Sequence, residues 1–184
     1  EMLIYAKMEY YTQIGNTTKA FEENTKLLRI KKENNDGSGL LRVLNHRGRL
    51  YIEQNQYEKA IECDLYILNK EKELYGEELK GSNLNCLHNL FCDYASADKI
   101  DDAINIGEWC VKLRKERNDF YNYAISLNGL GYCYYLKGDI HKAIDLSLKA
   151  DSILKNDHEM HYATNTYLET YYMENQDTTK LYQL

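Results

Sequence analysis

Several groups of residues in this 184-residue chain have types and spacings that could do chemistry. His158-Glu159-Met160-His161 puts two histidines three apart, so a helix could offer both imidazoles to one metal. The stretch is HExH and not the HExxH of zinc proteases, and no third ligand accompanies it. His88 and Cys92 stand one helical turn apart, a spacing at which an imidazole can activate a thiolate; a packed cysteine beside a histidine has the same spacing. Gly129-Leu130-Gly131 lacks the third glycine of GxGxxG. Cys63, Cys86, Cys92, Cys110 and Cys133 are odd in number and none forms CxxC, which favours small buried thiols over a disulfide or zinc framework. The carboxylates are scattered as on solvated helix faces. No catalytic constellation results, so the chain is expected to be no enzyme and to use no metal or cofactor.

The elements that carry these residues follow from periodicity. Ala20, Ala60, Ala103 and Ala143 recur at spacings of 40, 43 and 40 residues, and nine residues before each lies a tyrosine: Tyr11, Tyr51, Tyr94 and Tyr134. Seven residues before each tyrosine the position is apolar: Ile4, Leu44, Leu87 and Leu127. A fifth, partial copy places Tyr172 nine residues before Leu181. In the copy at 127–150, Leu127, Leu130, Gly131 and Tyr134 share one helix face, Gly138-Asp139 turns the chain, and Ala143 and Ala150 lie a heptad apart on the second helix. Turns of the same kind fall at Gly15-Asn16, Gln54-Asn55-Gln56 and Asp98-Lys99, with Thr17 or Thr18 as an N-cap and 34–39 as a loop. The repeats run about 1–37, 38–78, 79–118 and 119–156, with a partial 157–184. In the last the register is open by one residue.

Leu-x2-Leu-Gly-x2-Tyr followed by Gly and Ala-x6-Ala resembles the tetratricopeptide repeat. The longer period resembles the kinesin-light-chain-like subclass. The first helices also resemble that subclass's Leu-Asn-Asn-Leu-Ala in part, in the corresponding stretches Leu44-Asn45-His46-Arg47-Gly48, Leu87-His88-Asn89-Leu90-Phe91 and Leu127-Asn128-Gly129-Leu130-Gly131. The resemblance implies an all-α right-handed superhelix, a TPR solenoid of four helical hairpins and a partial fifth. Its first helices would line a concave groove that holds a peptide or protein segment.

Carried over position by position, that groove would present Arg42, Asn45, Arg49, Asn85, His88, Asn128, Tyr132 and Tyr135. An asparagine amide can both donate to and accept from an extended backbone. The same asparagines could instead cap or bridge neighbouring helices. Arg42 and Arg49 suggest a preference for acidic or carboxylate-bearing segments.

A net charge of −6 argues against a nucleic-acid surface, and no apolar run approaches the roughly 18 residues of a membrane span. With no signal peptide evident, a cytoplasmic protein is expected, and the Lys, Asn, Ile and Tyr content hints at a bacterial source. The start at Glu1 and the tyrosine- and leucine-rich stretch from Tyr167 to Tyr182 lead us to expect a piece of a longer protein, or an array end that needs a partner. Three functions fit: a non-catalytic binding scaffold, a peptide-signal sensor coupled to a DNA-binding domain, and a regulatory arm of an enzyme domain.

Overall fold

The turns inside the repeats keep strict phase with the alanines. Gly15, Asn55, Asp98 and Gly138 each lie five residues before an alanine of the series, and each has positive φ, at +69°, +56°, +59° and +90°. Left-handed backbone costs a residue with a Cβ roughly 1–2 kcal/mol, least for asparagine and aspartate, whose short side chains can hydrogen-bond locally. That explains why only Gly, Asn and Asp occupy these four positions. Gln176, with φ +57°, lies five residues before Leu181 and continues the series.

The structure, a computed structural model, describes residues 1–75 and 81–176. Among the described residues there are nine helices and no strand: α1 (Met2–Gln13), α2 (Thr17–Glu33), α3 (Gly37–Glu53), α4 (Tyr57–Tyr75), α5 (Gly81–Ser96), α6 (Ile100–Glu116), α7 (Phe120–Leu136), α8 (Ile140–Leu154) and α9 (His158–Glu174). Residues 76–80, between the second and third repeats, and Leu181 and Tyr182 fall outside the described residues. The chain divides into two compact units, Glu1–Ala97 and Asp98–Leu184. In the first, α1 to α5 pack each on the next; in the second, α6 to α9 do so, and α7 also touches α9. At both ends α9 lies 38 residues after α7, which settles the open register.

Several side chains fix these ends. Asn16 accepts from Lys19 N at 3.2 Å, so Asn16 caps α2 and not Thr17 or Thr18; at φ −86° and ψ 71° it lies outside the helix and leaves its amide oxygen beside the free N–H groups. The stretch 34–39 is shorter as a loop than its composition suggests. Asp36 caps α3 by accepting from Gly39 N at 2.9 Å, so Gly37, Ser38 and Gly39 already form the first helical turn. A Cβ at Gly39 would overlap the Asp36 carboxylate, which also receives Lys31 Nζ at 2.8 Å.

The four alanines are fully buried, which lets each second helix press against its partner. The residue before the alanine is a lysine in three repeats, and its ammonium lies over the repeat's tyrosine ring: Lys19 over Tyr11 at 5.2 Å, Lys59 over Tyr51 at 5.5 Å and Lys142 over Tyr134 at 3.8 Å. Eleven residues after the alanine the chain buries Lys31, Glu71, Arg114 and Leu154. Arg114 is not a solvated helix-end cation, since its Nη1 donates to the Asn122 carbonyl at 2.7 Å and to Ser126 Oγ at 2.8 Å, tying α6 to α7.

Candidate functional site

In the first unit a pocket of about 290 Å³ opens between α3 and α5, with α4 as its floor. Helix α3 supplies Asn45, Gly48, Arg49, Ile52 and Glu53; α5 supplies Asn89, Cys92 and Asp93; α4 supplies Asp64. Residues 45, 48, 49 and 52 recur at helical spacing, so one face of α3 carries them all. Gly48 keeps the floor uncovered: a Cβ there would meet Asp64 Oδ1 and Cys63 Cβ only at 3.8 Å.

Two of the lining groups are buried carboxyls. Asp64 is 2% exposed and Asp93 6% exposed. Asp64 Oδ2 has no hydrogen-bond partner, and the neighbouring Cys86 thiol donates to the Asp64 backbone carbonyl at 3.4 Å. Burial, with the Asp93 charge adding to it, pushes the Asp64 carboxyl up to about 8, and burial pushes Asp93 to about 7. None of the ion pairs between described residues includes either group. Arg49, the one cation of the lining, is exposed.

The residues expected to line a single groove fall into two sets. Asn45 and Arg49 meet in the pocket, while Arg42 and Asn85 are exposed on α3 and α5 outside its lining. His88 lies with its ring centroid 6.0 Å from that of Phe91 and its Nε2 3.7 Å from Cys92 Sγ. The other three belong to the second unit. Asn128 is buried, and its Nδ2 donates to Thr164 Oγ1 at 2.7 Å, bridging α7 to α9. Tyr132 and Tyr135 stand in a ladder with Tyr167 and Tyr171 of α9, with centroids 6.1 Å apart for Tyr132–Tyr167 and 5.1 Å for Tyr135–Tyr171. Tyr135 OH donates to Glu174 Oε1 at 2.8 Å.

Asp64, Asn89 and Asp93 escaped the reading from spacing alone, although the repeat carried a signal for them. Asp93 precedes its repeat tyrosine, where other repeats have the exposed Tyr10 and the buried Leu50, Cys133 and Tyr171. Asp64 lies four residues after its alanine, where others have Asn24, Gly107 and Ser147. Two carboxyls at core positions of one repeat junction are visible once the copies are aligned.

Among the described residues no three His, Cys, Asp or Glu side chains are placed to hold a metal. Burial raises the thiols of Cys63, Cys86, Cys110 and Cys133, the first and last to about 11, away from reactivity. No described helix is long and apolar enough to cross a membrane.

Residues 41–63, from α3 into α4, match the sequence pattern of the tetratricopeptide repeat. The fold comparison extends this to nearly the whole chain. BtubC (BKLC) from P. vanneervenii superposes with a TM-score of 0.87 at 20% identity, covering 98% of this chain and 74% of that one. This chain has the tetratricopeptide-repeat fold. A putative kinesin light chain of Podosopora anserina, with nearly identical TPR-like repeats, superposes on the array with a TM-score of 0.83 at 17% identity, covering 99% of this chain and 90% of that one. A Rap protein in complex with competence and sporulation factor gives a TM-score of 0.77 at 14% identity, covering 98% and 50%. Kinesin-light-chain-like arrays are thus among the tetratricopeptide neighbours, and at these identities the likeness is one of fold. No curated protein sequence matches the chain.

Proposed function

We propose that this tetratricopeptide array is a non-catalytic module that holds an extended peptide or protein segment against the α3–α5 face. The observation that carries this reading is the open pocket itself, which exposes the amides of Asn45 and Asn89 beside a buried, unpartnered carboxyl oxygen. A peptide backbone has N–H and C=O groups that such amides can meet from either side. Arg42 and Arg49, seven residues apart on α3 and both exposed, are the groups that would meet a carboxylate on the bound segment. All five cysteines are free, which fits a reducing, cytoplasmic setting.

A peptide library displayed against the full chain tests the reading. Asn45→Ala with Asn89→Ala should weaken the selected peptide by about ten-fold or more, since two hydrogen bonds are lost. Unchanged affinity would move the binding face elsewhere. The Rap neighbour, solved with competence and sporulation factor, favours one second reading, in which the bound segment is a signal and the array reports its presence to an attached domain. Closure of the array on the selected peptide, read by small-angle scattering, would separate a sensor from a passive scaffold.

A further inference from the structure

The α3–α5 pocket has a counterpart in the second unit, built from the same repeat positions. Asn45, Gly48, Arg49 and Ile52 of α3 correspond to Asn128, Gly131, Tyr132 and Tyr135 of α7. Asp64 corresponds to Ser147, and Asn89 and Asp93 of α5 to Tyr167 and Tyr171 of α9. In the second unit those positions carry four rings in mutual contact. In the first unit the same positions leave a space with two carboxyls at its base. A packing role alone gives no reason for this exchange, because a leucine, a cysteine or a tyrosine serves at the Asp93 position elsewhere.

We propose that the α3–α5 pocket receives one basic side chain of the bound segment, a lysine or arginine, whose cation enters to pair with Asp64 and Asp93. The inference rests on the peptide-binding reading above and assigns the chemistry of one of its subsites. Asp64 lines the space and carries a buried oxygen with no partner, and no described cation pairs with either carboxyl. At about 290 Å³ the space is at the lower edge of small-molecule pockets, which suits a single side chain. The absence of a third metal-type ligand among the described residues favours an organic cation. Arg49 and Glu53 from α3 are the other charged groups of the lining, while Arg47 and Glu62 act on the adjoining Cys63 and the buried Glu71 on the adjoining Cys86. Of these Arg49 could swing inward, and it would act as a competitor for the ligand's cation.

The test uses the full chain and two probes of one shape, butylguanidinium and neutral butylurea, at neutral pH. Amide NMR shifts at Gly48, Asn89 and Asp93 should saturate with butylguanidinium, with a dissociation constant on the order of millimolar, and should stay still with butylurea. Asp64→Asn with Asp93→Asn, isosteric and checked for folding by circular dichroism, should weaken that binding about ten-fold or more. Arg49→Gln should tighten it. Equal responses to both probes, or none, in the unmutated chain would overturn the proposal without any variant. A library-selected peptide that binds well and is unmoved by the double asparagine change would sink this inference and leave the peptide-binding reading standing. Butylguanidinium binding with no peptide selected would do the reverse.

Discussion

The α3–α5 face and the α7–α9 face use the same repeat positions and reach different ends. In the second unit, Tyr132, Tyr135, Tyr167 and Tyr171 fill the space between successive first helices, and Asn128 locks α7 to α9 through Thr164. In the first unit the space stays open over Asp64 and Asp93, and Asn45 is only half-buried. The backbone scaffold is common to both. What differs is whether the side chains at these positions can satisfy one another. Four tyrosines can, through ring contacts and a hydroxyl on Glu174. Two buried carboxyls repel when ionised and leave Asp64 Oδ2 unpaired. A repeat array can therefore leave one junction open and fill another by changing a handful of residues on a fixed frame.

The largest way to break the comparison is Ala143→Glu. It places a charge at a fully buried contact of α8 and should destabilise the second unit by about 4 kcal/mol or more, read by urea denaturation followed by circular dichroism. An unchanged midpoint would contradict the register.

Asp64→Asn with Asp93→Asn should have the opposite sign. A carboxyl whose folded pKa exceeds its unfolded value holds extra protons when folded, so stability falls as pH rises from about 4 and the penalty is complete above the folded value. The folded values, about 8 and about 7, set the upper end of that window. Replacing both should stabilise the protein by roughly 1–3 kcal/mol above that window, with little gain at its acid end. Denaturant midpoints measured across pH check it, and a gain that is constant with pH would show that ionisation is not the cause.

The two asparagines sharpen the contrast at smaller scale. Asn128→Ala removes a buried amide and its bond to Thr164, and should cost about 1–3 kcal/mol. Asn45→Ala should stay within about 0.5 kcal/mol and show its effect in binding. The glycines follow the same division. At Gly131 a Cβ would meet the Ala143 carbonyl at 3.1 Å and Ser147 Oγ at 3.2 Å, so Gly131→Ala should lose about 1 kcal/mol or more. At Gly48 the nearest atoms are 3.8 Å away, and Gly48→Ala should gain about 0.5–1 kcal/mol from helix propensity. Equal signs at the two positions would erase the difference between the faces.

The tyrosine–alanine spacing made the helices, their turns and their pairing legible in the sequence, because each packing position recurs where the one before it did. The turn residues Gly15, Asn55, Asp98 and Gly138 were readable for the same reason. Asn45 and Arg49 could be placed on the α3 face from helical period alone. Asn128 could not be told from Asn45 by that route, since its burial is imposed by α9, a separate helix. Asp64 and Asp93 were hidden differently. Each reads as an ordinary polar residue on its own helix, and only the approach of neighbouring helices takes both out of water. Arg114 and Lys31, at a single repeat position near helix ends, were obscured by the same effect.

The most direct measurement is a carbon-13 titration of the Asp64 and Asp93 carboxyls in the full, unmutated chain, with and without butylguanidinium. The pair should titrate with apparent midpoints well above the usual carboxylate range, near about 8 and about 7, and both should move down when the cation is present. Midpoints near about 4 in the free protein, or high midpoints that the cation leaves in place, would contradict the account.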